Sequence, residues 1–229
     1  MPMRGTLINI ATILCGTSLG MLLKTKMPER VSHVVIQGLG MFTIFLGMRM
    51  TFQTQSILTV LFSLIAGGAI GAIIGIGGYL ERAAAYIESR FKSKESQIAE
   101  GFLTATLLFC VGPMAIIGSL EDGISGNYQI LMTKAMMDGF CSIAFGAAMG
   151  FGVALSAVAV LVYQGGLTAL SSVVSQLLTD AAITEMTATG GLLIVGIGLD
   201  MLEIKKIQVA DLLPAIIIAP ILIRLFPGL

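Results

Sequence analysis

The chain contains no tryptophan, one histidine and three cysteines in 229 residues, and only 11% of it is charged. Each shortage excludes something. So few charges rule out a soluble domain, where roughly a quarter of residues are ionisable. Lys+Arg and Asp+Glu both total 13, so no net charge draws the chain to nucleic acid. Cys15, Cys110 and Cys141 stand in apolar stretches with no CxxC pair, which is not a disulfide framework. The lone His33 and scattered thiols do not assemble a metal cluster, and no resident cofactor is expected. No nucleophile elbow, phosphate loop or HExxH occurs, so the chain is not read as an enzyme. Without tryptophan, the interfacial aromatic belt must rest on Tyr79, Tyr86, Tyr128 and phenylalanines.

Long apolar sequence is what remains. Hydrophobic residues make up 56% of the chain, and its mean hydropathy is +0.96. An all-α polytopic membrane protein fits this composition, with lipid as its first partner. About 20 apolar residues cross a bilayer. That ruler marks about eight spans, at residues 6–23, 31–48, 57–80, 98–119, 128–150, 152–178, 184–201 and 209–226. Lys24 and Lys26 stand where a signal-peptide cleavage site needs small residues, so the first run is read as a span. On this count one side collects Lys24, Lys26, Arg30, Arg82, Arg90, Lys92, Lys94, Lys205 and Lys206. The other collects Arg4, Arg49, Lys134 and Arg224. The positive-inside bias then puts both termini outside a bacterial cytoplasmic (inner) membrane. Residues 81–100 mix opposite charges at helical spacing, such as Glu88 and Lys92, and read as a cytoplasmic amphipathic linker.

Glycine rows at Gly16/Gly20, Gly67/Gly71/Gly75 and Gly146/Gly150 predict close helix packing. They outnumber what one small bundle needs, which points to a homodimer. The halves also echo each other. Gly40, Gly47 and Met50 fall on Gly191, Gly198 and Met201, with Arg49 on Asp200. Ile13–Gly20 resembles Ile143–Gly150, and Gly112-Pro113 aligns with Gly165-Gly166. In the span count the second and seventh helices oppose one another, as do the third and eighth. The expectation is a single transmembrane domain, residues 1–229, built from inverted repeats near 1–119 and 128–229.

Two polar, helix-breaking runs lie inside greasy sequence: Cys110 to Ala115, around Gly112-Pro113, and Tyr163 to Thr168, around Gly165-Gly166. In lipid every backbone N–H and C=O needs a partner, so broken helices survive only against protein or a watery cavity. A solute site near the midplane follows. Gly112, Pro113, Gly165 and Gly166 would offer backbone dipoles; Gln164, Thr168, Glu185 and Thr189 would offer side-chain ligands. Lys134 and Asp138 lie one turn apart in the fifth span, able to pair with each other or with substrate. Structural alternatives stand beside each reading. Lys134–Asp138 can be a plain salt bridge, Glu185 can favour a helix N-terminus with threonine caps, and the Gln164 run can be a kinked packing helix. Asn9 and Gln37 read as interhelical hydrogen bonders. Glu121-Asp122-Gly123 reads as an outer-face turn.

The runs FCVGPMAI (Phe109 to Ile116) and GSLEDG (Gly118 to Gly123), Lys134, Asp138-Gly139, Tyr163-Gln164-Gly165, Gly190-Gly191 and GIGL (Gly196 to Leu199) carry a family resemblance over nearly the whole chain. It resembles the bacterial membrane family catalogued as domain of unknown function 554, the YdfK/YqgA type. Asp200 departs from the amide expected there. The resemblance implies a polytopic inner-membrane protein, often labelled a transporter, and no established substrate. The leading expectation is a secondary carrier for a small polar or charged solute, with H⁺ or Na⁺ as coupling ion. A passive channel or a non-transporting scaffold or sensor are the alternatives.

Overall fold

Proline and glycine decide where the apolar runs bend. In a computed structural model that describes residues 3–24, 29–79, 82, 86 and 98–226, the elements are α1 (Arg4–Lys24), α2 (Glu29–Thr51), α3 (Ile57–Ile74), α4 (Ile98–Cys110), α5 (Pro113–Ser125), α6 (Gln129–Met149), α7 (Phe151–Ala169), α8 (Ser171–Leu177), α9 (Asp180–Met201), α10 (Val209–Leu212) and α11 (Pro214–Leu225). No strand occurs among the described residues. Most of the expected linker at 81–100 lies outside them.

Six helices are long and apolar enough to cross a membrane; a seventh span arises if the α4–α5 pair, bent by 60°, counts as one. Eight was therefore an approximation. The last expected span, 209–226, is divided at Pro214 into pieces of 4 and 12 residues. Neither alone matches the roughly 20 residues a bilayer needs.

One of the two expected breaks is present. α4 ends at Cys110, Gly112 is extended (φ 159°, ψ 153°), and Pro113 opens α5. Proline has no N–H to continue the ladder, and its ring collides with the carbonyl four residues back. The break expected at Gln164-Gly165-Gly166 is absent: α7 runs unbroken from Phe151 to Ala169. Glycine only lowers helix propensity, by about 1 kcal/mol relative to alanine. In lipid, a helix that keeps its own hydrogen bonds outweighs that. Gly150 (φ 71°) makes the sharp junction between α6 and α7, a backbone angle that disfavours any other residue.

The chain divides into two compact units, each assembled from separated stretches: Met1–Val35 with Glu95–Leu177, and Ile36–Lys94 with Leu178–Leu229. In the first unit, α1 lies along α6. A Cβ on Gly16 would strike the Gly139 carbonyl, and one on Gly20 the Ile143 carbonyl, so the backbones touch and run parallel. Gly152 of α7 meets the Ile98 carbonyl of α4 in the same way. In the second unit, α2 and α9 cross antiparallel, Gly47 against Gly191 and Gly40 against Gly198. Gly67 and Gly71 of α3 meet Ala215 and Asp211. In two of the three echoes, α1 with α6 and α2 with α9, the segments are thus packing partners, and glycines lie where the two helices meet. Gly75 and Gly150, read as members of packing rows, are turn glycines instead.

Candidate functional site

Three helices of the first unit turn polar side chains inward. The buried stripe of α1 includes Gly5, Thr6, Asn9, Ile13 and Gly16; that of α6 includes Leu131, Lys134, Asp138 and Ser142. The stripe of α7 includes Val160, Gln164, Gly165 and Thr168. These positions recur at three- and four-residue spacing, one face of each helix. The small residues of α1 let α6 close in, and that brings Asn9 down onto Asp138.

Lys134 Nζ pairs with Asp138 Oδ2 across one helical turn. Asn9 Nδ2 donates to the same oxygen at 2.8 Å and reaches Gln164 Oε1 at 3.4 Å. Lys134 Nζ also stands 5.8 Å from the centre of the Phe109 ring, a cation–π approach from the last turn of α4. Asn9 and Gln164 are fully buried, and Lys134 and Asp138 are each 6% exposed. The network is incomplete. Asn9 Oδ1, Gln164 Nε2 and Thr168 Oγ1 are buried without a hydrogen-bond partner. An unmatched buried polar atom costs about 1–3 kcal/mol, so a native cluster that keeps several of them is one that something else can complete.

The α4–α5 break borders a groove of about 460 Å³, lined by Thr106, Cys110, Tyr163, Gly166 and apolar neighbours on α7 and α8. The hydroxyls of Thr106 and Tyr163 there are also without partners. Tyr163 adjoins Gln164 in the chain, so α7 presents one residue to the groove and the next to the cluster.

The other expected residues fall differently. Gly112 and Pro113 form the break. Gly165 is approached by the flexible end of the Met3 side chain (2.9 Å from an added Cβ), not by backbone, and Gly166 has nothing within 4 Å. Glu185 and Thr189 belong to the second unit. There Glu185, almost fully buried, accepts from Thr54 Oγ1 (2.6 Å), Gln55 N (2.8 Å) and Ser56 N (3.1 Å), holding the α2–α3 connection. The cap of α9 is Thr179, whose hydroxyl accepts from Ala182 N at 3.2 Å. Thr187 and Thr189 keep buried, unpartnered hydroxyls.

Asn9, expected as an interhelical hydrogen bonder, is one, and it joins the cluster as its bridge; its position four residues after Gly5 and seven before Gly16 places it on the small-residue stripe. Asp122 is no exposed turn residue: α5 continues to Ser125, and Asp122 is fully buried. Its Oδ2 accepts from Gly5 N at 3.2 Å, where the first N–H groups of α1 lack helical partners.

The family described as Protein of unknown function (DUF554) matches residues 4–224. The chain belongs to this family. It is 34% identical over 230 residues to the Uncharacterized membrane protein YdfK of Bacillus subtilis (strain 168), covering 96% of each chain. It is 26% identical over 220 residues to the Uncharacterized protein YqgA of Escherichia coli (strain K12), covering 94% of each. No solved structure matches. A relative described as a membrane protein and at least six helices long and apolar enough to cross a bilayer agree in making it a membrane protein.

Proposed function

We propose that this membrane protein is a secondary carrier for a small polar or charged solute, non-enzymatic, in the bacterial cytoplasmic membrane with both termini outside. One observation carries the reading: a buried Lys134–Asp138 pair bonded to Asn9, which in turn reaches Gln164, with an acceptor of Asn9 and the donor of Gln164 left unmatched. Ionisable groups inside a membrane are costly, and pairing them only for stability gains little over an apolar contact. A carrier needs such a pair, because it neutralises itself when empty and exchanges partners when solute or H⁺ arrives. The α4–α5 break and its groove support access from beside the cluster. The antiparallel, mutually matched α2 and α9 are compatible with inverted repeats, and a homodimer through remaining glycine faces belongs to the same proposal.

Purified protein reconstituted in proteoliposomes tests this. Saturable uptake with counterflow, lost in Asp138→Asn at unchanged protein level, is the expected outcome. Unitary conductance without counterflow would make it a channel and overturn the carrier. Unaltered uptake in Asp138→Asn would remove the cluster from the route.

A further inference from the structure

We infer that the solute is a small zwitterion carrying an ammonium and a carboxylate group, an inference that rests on reading the Lys134–Asp138 cluster as the carrier's site. The empty cluster is electrically neutral: one ammonium, one carboxylate and two amides. A lone anion entering it would leave a net buried negative charge, and a lone cation a net positive one. Either is expensive out of water unless a second ion moves with it. A zwitterion adds no net charge. Its carboxylate takes Lys134 while its ammonium takes Asp138, so one ion pair becomes two and nothing is left uncompensated.

The unmatched atoms have the same polarity pattern. Both hydrogen bonds to Asp138 end on Oδ2, so Oδ1 keeps lone pairs with which to accept. Asn9 Oδ1, on the residue bonded to that carboxylate, is a free acceptor. Together they form an acceptor pair, which suits an ammonium. Gln164 Nε2 is a free donor, and Lys134 Nζ has three hydrogens with one carboxylate partner. Together they form a donor pair, which suits a carboxylate. Asn9 links the two sides through its 2.8 Å and 3.4 Å contacts, so acceptors and donors sit within the reach of one small molecule.

The test is thermal unfolding of the detergent-purified full chain with glycine, L-alanine, L-serine and β-alanine as probes, and with propionate and ethylamine as the two half-molecules of L-alanine. A native-state ligand raises Tm in proportion to the logarithm of its excess over Kd. At least one zwitterion is expected to raise Tm by several degrees, while propionate and ethylamine at equal concentration leave it unmoved. Gln164→Glu keeps the side-chain shape and turns the free donor into an acceptor. It should abolish the zwitterion's shift and create one for ethylamine. Asp138→Asn should also lose the response, and Gln164→Glu keeps the test open if that variant does not fold. No shift with any of the four zwitterions overturns the inference. So does an equal shift with propionate or ethylamine in the unaltered protein, which would leave the carrier reading standing. A zwitterion that binds without counterflow in proteoliposomes would do the reverse, upholding the ligand class and removing the carrier.

Discussion

Removing Lys134 alone should lower stability sharply, and removing the whole Lys134–Asp138 pair should leave it nearly unchanged, with the same consequence for uptake. Lys134→Met strands the Asp138 carboxylate in a site where both side chains are under a tenth exposed (8% and 9%). Breaking a buried pair this way costs about 3–5 kcal/mol. For a chain of this length each kcal/mol moves Tm by roughly 2–4 °C, so a fall of roughly 6–20 °C is expected. Replacing both partners, as Lys134→Met with Asp138→Leu, removes the charge problem, and such swaps are neutral or stabilising by about 1–4 kcal/mol. Against that, Asn9 Nδ2 loses its 2.8 Å acceptor, a cost of about 1–3 kcal/mol. The two terms nearly cancel, so the double variant should melt within a few degrees of the unaltered protein while its uptake is abolished. Thermal unfolding in detergent and uptake in proteoliposomes read the two halves of the prediction. A double variant whose loss in Tm equals the sum of the two single losses would show that the side chains do not act as a pair. A double variant that still transports would refute the reason given for the pair's presence in a membrane.

Gln164→Ala removes one long hydrogen bond (3.4 Å) and one already unmatched amide N–H donor group. It should therefore cost under about 2 kcal/mol and leave membrane abundance unchanged, yet abolish saturable uptake. Glu185→Ala leaves Thr54 Oγ1 and Gln55 N of the α2–α3 connection without their acceptor, while Ser56 N keeps Thr54 Oγ1, at about 1–3 kcal/mol for each donor that stays buried. Glu185→Gln, which can still accept, should recover much of the lost Tm. Gly20→Ala forces a methyl group onto the Ile143 carbonyl and the Ala147 backbone nitrogen and should destabilise by about 1–3 kcal/mol. Gly166→Ala meets nothing within 4 Å and should raise stability by about 0.5–1 kcal/mol, the propensity gain of alanine over glycine. Opposite signs of ΔTm check this last pair.

Residue types alone settled the membrane character, the helical class and the hinge at Pro113, because each follows from a local property. Apolar length, the scarcity of charge and the missing proline N–H act whatever the rest of the chain does. The pairing of Lys134 with Asp138 was equally legible, since four residues along a helix is one turn. Sequence could not say whether Gly165-Gly166 would break α7. Glycine weakens a helix without forbidding it, and the outcome depends on what surrounds the backbone. Nor could it say that Asn9 would bridge Asp138 and Gln164, which lie 129 and 155 residues away. Nor could it say that Asp122 would be buried against the start of α1, or that Glu185 would hold the turn before α3. Those depend on which glycine face meets which backbone, and many faces along this chain are equally small. Only the packed arrangement, in which α1 seats on α6, chooses among them and so assembles four polar side chains into one buried group.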